Sequence, residues 1–87
     1  MLHPMDDPVD MEALFPARAP YPTPLRLRWQ GRPFPVEEIH LVHERWEGST
    51  RLLFYSVTAR GSLLRLRFDG TKGRWFLEGV QWEEGTP

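Results

Sequence analysis

Leu25-Arg26-Leu27-Arg28-Trp29 and Leu64-Arg65-Leu66-Arg67-Phe68 decide the fold class of this 87-residue chain. In both stretches apolar and cationic residues alternate, which is the period of a strand with one dry and one wet face. A helix would scatter the same leucines around its circumference. The alternation also makes each wet face arginine-rich, so one pattern carries both the fold signal and the strongest functional hint.

Glycine-marked turns extend the pattern on either side. Gln30-Gly31-Arg32-Pro33 returns the first strand through Phe34 and Val36, with Gly31 able to supply a positive φ. Residues 36–46 fit two readings. Glu37 and Glu38 behind Pro35, with Val36, Ile39, Val42 and Trp46 spaced along one side, suit a short helix, whereas Ile39, Leu41 and the β-branched content suit a bent strand. The strand is the better fit, because the first strand needs a hairpin partner. Glu47-Gly48-Ser49-Thr50 then turns into a strand over 51–58, and Arg60-Gly61 makes a tight turn into Ser62 to Phe68. Asp69 to Gly73 turns again, and Trp75 to Trp82 forms the last strand, with Gly79 as a bulge. Residues 25–82 therefore read as a mainly β domain of about five short antiparallel strands, in a strongly curved sheet or small open barrel.

The ends read differently. Residues 1–24 form an acidic, proline-rich leader and residues 83–87 an acidic tail. Within the leader, Asp7 fits an N-cap, Pro8 the first helical position and Asp10 the positive end of the dipole, which predicts a short helix at 7–15 stopped by Pro16. Met11, Leu14 and Phe15 would share its apolar side. Two turns are unstable alone in water, so Leu14 and Phe15 are expected to dock on the sheet or to engage a partner. Prolines 16, 20, 22 and 24 favour an extended connector.

The net charge of −1 hides a separation along the chain. Residues 1–22 carry Asp6, Asp7, Asp10 and Glu12 against Arg18, and residues 79–87 carry Glu83 and Glu84. Residues 23–78 carry nine arginines and Lys72 against six carboxylates, a balance of +4. A basic body with acidic ends suits a polyanion surface, and it equally suits an ordinary solvated sheet face. If the two founding strands lie in one sheet, Arg26, Arg28, Arg65 and Arg67 form the candidate nucleic-acid-binding patch, opposite the leucine face.

Composition narrows the function classes. With no cysteine there is neither a disulfide framework nor a thiolate metal site, which fits a cytoplasmic protein. No apolar run reaches the roughly 18 residues of a membrane helix, and the first residues lack the layout of a signal peptide, so a membrane partner is not expected. A core drawn from about 60 residues is marginal, which makes homo-oligomerisation useful. His40 and His43 have no third ligand and no metalloprotease spacing, and no motif activates Ser49, Ser56 or Ser62. We therefore expect no catalytic residues, no metal and no cofactor. Trp29 and Trp75 are in phase with leucines and read as core, while Trp82 is more open.

Leu27-Arg28-Trp29-Gln30-Gly31-Arg32-Pro33-Phe34-Pro35-Val36, then Trp46, Phe54-Tyr55-Ser56-Val57, Gly61-Ser62-Leu63-Leu64-Arg65-Leu66 with Asp69, and Trp75-Phe76-Leu77-Glu78-Gly79-Val80 resemble a family of small uncharacterised bacterial domains. Their pattern is W-x-G-R-x-[FY]-x-V, a lone Trp, G-x-x-x-L, an Asp and W-x-L-x-x-V. Members stand alone or are appended to Y-family polymerase-like mutagenesis subunits. The resemblance implies a DNA-repair setting without an activity, and Ser56 stands where the family often has arginine. In that setting Met11-Glu12-Ala13-Leu14-Phe15 is similar to the sliding-clamp pentapeptide, with Met11 in place of its opening glutamine. The expected function is a non-catalytic binding module contacting nucleic-acid backbone or a repair protein. The alternative is a structural accessory acting through homo-oligomerisation.

Overall fold

The computed structural model describes residues 2–81, and these form seven antiparallel strands with no helix. In chain order they are β1 (Leu2–Leu14), β2 (Thr23–Trp29), β3 (Arg32–Pro35), β4 (Glu38–Glu47), β5 (Thr50–Ala59), β6 (Ser62–Asp69) and β7 (Arg74–Gln81). They build one unclosed sheet in the order β3-β2-β1-β7-β6-β5-β4. Consecutive strands thus pair with one another except β3 and β4, and β7 returns to pair with β1. The sheet ends at β3 and β4, which run consecutively in the chain through Val36 and Glu37. Val36 N–H bonds to the Leu25 carbonyl at 2.9 Å and Glu37 N–H to the Thr58 carbonyl at 2.8 Å. The link therefore leaves the β2 side and joins the β5 side within two residues, which curls the sheet around its inner face.

That inner face is the core. Leu27, Leu53, Val57, Leu64, Leu66, Leu77 and Val80 are all but sealed from solvent, with Trp75 and Phe68 beside them. Their positions follow the predicted alternation on β2, β5, β6 and β7. Trp75 is buried and meets Phe68, at 4.9 Å between ring centroids, and Tyr55, at 5.2 Å, with its ring tilted to both. Trp29 packs against the same cluster from its edge and donates its indole N–H to Asp7 at 3.2 Å. Trp82 lies outside the described residues. Gly79 sits where the β6–β7 register shifts, leaving Glu78 as the extra residue, so the expected bulge is present. The turns Gln30-Gly31 and Arg60-Gly61 have positive φ at both central residues, the type I′ geometry whose twist matches flanking strands.

The helix expected at 7–15 is instead part of a strand, and the count of five strands becomes seven. The second difference is mild, because the hairpin return through Phe34 and the bent strand read over 36–46 are two separate strands, β3 and β4. The first difference changes the architecture. β1 lies inside the sheet, its residues 2–9 pairing with β7 and its residues 10–14 with β2. Asp7-Pro8 mimics a helix start, but Val9, Met11 and Ala13 alternate with Asp10 and Glu12, and the core takes Val9, Met11 and Ala13. Pro4 and Pro8, which would break a strand bonded on both sides, fall in the half that pairs with β7 alone.

Tyr55 ties this sheet to the segment joining β1 and β2. Its buried hydroxyl donates to the Pro22 carbonyl at 2.6 Å. Burial pushes its pKa from 10 up to about 12, with the Arg51 charge opposing the shift and Tyr21 adding to it. The folded state therefore holds the Tyr55 proton more tightly than the unfolded chain does. Its contribution is complete below pH 10 and is lost as pH rises through about 12, at most about 3 kcal/mol. We predict a fall in stability over that window, followed by chemical denaturation, which Tyr55→Phe removes while lowering stability at neutral pH by about 1–2 kcal/mol. An unchanged alkaline profile in Tyr55→Phe would contradict the assignment.

Candidate binding site

Arg26, Arg28, Arg65 and Arg67 all turn away from the core, as their alternation with leucines requires. They do not form one patch. β1 and β7 lie between β2 and β6, and β1 lays its acidic residues on the outer face beside the arginines. Glu12 is opposite Arg26 in the ladder and accepts a hydrogen bond from it, and Asp10 is opposite Arg28. Arg67 donates to Glu78 and, at 3.0 Å, to Asp6, while its guanidinium lies 4.3 Å from the centre of the Phe76 ring. Burial works to release its proton, but the bonds and charges of Glu78 and Asp6 outweigh it and hold the pKa above the ordinary arginine value. Arg67 is thus a structural cation that spans the irregular pairing of β1 and β7. Among the described residues, Arg28 and Arg65 have no carboxylate within ion-pair distance.

An apolar concavity lies elsewhere, where the β1–β2 connector passes over the core. It is a groove of about 440 Å³ with Leu53 and Phe68 at its floor. Phe15, Pro16, Pro20 and Tyr21 from the connector line it together with Trp46 and Ser49 from the β4–β5 hairpin. Phe15 is 64% exposed and Trp46 58%, although both are large aromatic rings. Phe15 meets Phe68 edge-on at 6.0 Å, so the ring is seated on the core with its outer surface free. Leu14 is also exposed, but it does not line the groove.

Arg51 ties the connector to β4. It donates to Glu44 on β4 and, at 3.0 Å, to the Pro20 carbonyl, and its guanidinium covers the Tyr21 ring at 5.4 Å. Such a planar donor can satisfy a carboxylate, a carbonyl and a ring face together. The floor is closed by the β6–β7 turn, where Asp69 caps the N–H groups of Thr71 and Lys72 and the Thr71 hydroxyl reaches Thr50 at 2.9 Å. Sequence reasoning found Phe15 and missed Tyr21, Trp46 and Arg51. The available signal was an aromatic residue set among Pro16, Pro20 and Pro22, a composition that makes a stiff wall at little entropic cost.

His40 and His43 are both on β4, with His40 hydrogen-bonded to Thr58 at 2.6 Å. Among the described residues no three histidine, aspartate or glutamate side chains cluster as metal ligands. No described helix could cross a membrane. Comparison of the chain with protein-family models, curated proteins and solved structures returns no match.

Gly70 is the position on which the groove floor depends most closely. Its N–H bonds to the Arg51 carbonyl at 2.8 Å, and a Cβ there would stand 2.9 Å from that same oxygen. Gly70→Ala must push the β6–β7 turn off β5. We expect a loss of about 1–3 kcal/mol in chemical denaturation, the usual cost of overpacking, together with altered amide shifts at Ser49, Arg51 and Thr71. A variant matching wild type in both readouts would contradict this packing.

Proposed function

We propose that the protein is a non-catalytic interaction module whose ligand surface is the aromatic groove, and that its ligand is a peptide segment of a protein partner carrying an aromatic or aliphatic anchor. The observation that carries this reading is the exposure of Phe15 and Trp46 in one groove that is also lined by the core residues Leu53 and Phe68. Two large rings left in water at a concave, rigidly braced site are the arrangement that buried anchors of interfaces fill. The proline-rich wall supports the reading further, because a stiff surface loses little entropy on binding. Phe15, one of the two residues expected from sequence to engage a partner, belongs to this groove.

Contact with nucleic-acid backbone through the arginine face, in the repair setting that the family resemblance suggests, is the second reading. Arg28 and Arg65 favour it, since both project outward without an ion-pair partner among the described residues. The pairing of Arg26 and Arg67 with carboxylates weighs against it, because a phosphate would have to displace Glu12, Asp6 and Glu78. Panning a phage-displayed random peptide library on the full chain, beside anisotropy titrations of a labelled single strand and duplex, separates the two. The groove reading expects enriched peptides with a recurrent apolar anchor, whose affinity falls about tenfold or more in Phe15→Ala/Trp46→Ala. No enrichment, or equal binding by the folded double variant, would overturn it. Salt-sensitive oligonucleotide binding that is lost in Arg28→Glu/Arg65→Glu would favour the second reading.

A further inference from the structure

We propose that the open edge of β4 pairs with β4 of a second copy, antiparallel about a two-fold axis at Val42, to give a closed dimer with one continuous sheet. The two ends of the sheet differ in kind. β3 has four residues, of which Pro33 and Pro35 carry no N–H, so that edge is blocked against a further strand. β4 has ten residues without a proline, and all but Val42 are exposed, including Ile39, Leu41 and Trp46. A long unblocked edge bearing apolar side chains is a template for another strand. Because only one edge is open among the described residues, pairing through it stops at two copies.

Hydrogen-bond geometry selects which residues meet. Glu47 and Thr50 flank the two-residue turn and exchange bonds, so the pattern alternates back along β4 and turns the N–H and C=O groups of Trp46, Glu44 and Val42 to the open edge. These are the groups that a second strand would bond.

Charge selects the register. The β4–β5 ladder runs Leu41 to Ser56 and Ile39 to Val57, so His40 is an extra residue, and Glu38 lies as far before Val42 as Arg45 lies after it. An axis at Val42 therefore sets Glu38 of each copy opposite Arg45 of the other, on the same face, with Leu41 opposite His43. An axis at His43 would set Glu38 against Glu47, one at Glu44 would set Glu44 against itself, and one at Leu41 would set Glu44 against Glu37. Like charges directly opposite destabilise a ladder. The Val42 axis avoids each of these clashes. Glu38 and Arg45 are well exposed, with side-chain exposures of 70% and 62%, and are free to exchange their weak local contacts for the intermolecular pair.

Sedimentation equilibrium of the full chain tests the dimer, and charge exchange tests the register. Wild type should approach twice 10.2 kDa with rising concentration. Glu38→Arg and Arg45→Glu should each weaken association by about tenfold or more, and the double exchange Glu38→Arg/Arg45→Glu should restore it. Circular dichroism melts confirm that each variant is folded. Independently, the chain has no cysteine, so Leu41→Cys/His43→Cys should give a covalent dimer on mild oxidation. A 10.2 kDa species up to about millimolar concentration would overturn the proposal. So would single reversals that dimerise like wild type, a double exchange that fails to restore association, or a double-cysteine variant that does not cross-link.

Discussion

The hydrogen-bond demand of β2 and β7 governs this structure. Each would present a row of unpaired backbone groups if the sheet stopped there, and each borders the core face. β1 satisfies both by changing partner midway, bonding β7 with residues 2–9 and β2 with residues 10–14. The switch joins the β2–β3 hairpin to the β4–β7 meander, and it places Met5, Val9, Met11 and Ala13 against the core. A second switch at Val36 and Glu37 does the same on the far side. A chain with so little interior gains a wrapped core because these two segments serve both parts of the sheet.

The position of β1 also sets the electrostatics. Its carboxylates stand as an acidic row among the arginines of β2 and β6, so charge that looks segregated along the chain is interleaved on the surface. Arg26 and Arg67 are spent on that interleaving. The groove follows from the same strand, because the chain leaving β1 at Leu14 must return to β2 over the end of the core. Phe15 and Tyr21 are carried on that return, and Tyr55 and Arg51 clamp it to the sheet.

Alternation made β2, β5, β6 and β7 legible, together with their dry faces, their glycine turns and the burial of Trp75. It could not say which strands are neighbours. Arg26, Arg28, Arg65 and Arg67 were correctly turned outward, but whether they meet depends on what lies between β2 and β6. β1 was hidden by Asp7-Pro8, which satisfies a helix cap, and by Pro4, which argues against an inner strand until pairing is seen to be one-sided there. Val9 to Ala13 nevertheless carried the strand alternation. Trp46 was ambiguous for a similar reason, since a β4 residue in phase with the core can still extend past its end. The groove depends on long-range contacts such as Arg51 with Pro20, which leave no local trace in sequence.

Native-state amide hydrogen exchange of Asp10 and Glu12, which lie opposite Arg28 and Arg26 in the ladder, tests the role of β1 most directly. A strand that joins β2 to β7 opens only when the sheet opens, so these two amides should exchange with the same free energy and denaturant dependence as those of Tyr55 and Leu66. Exchange of the Asp10 and Glu12 amides at fraying rates, while Tyr55 and Leu66 remain protected, would contradict an integral β1.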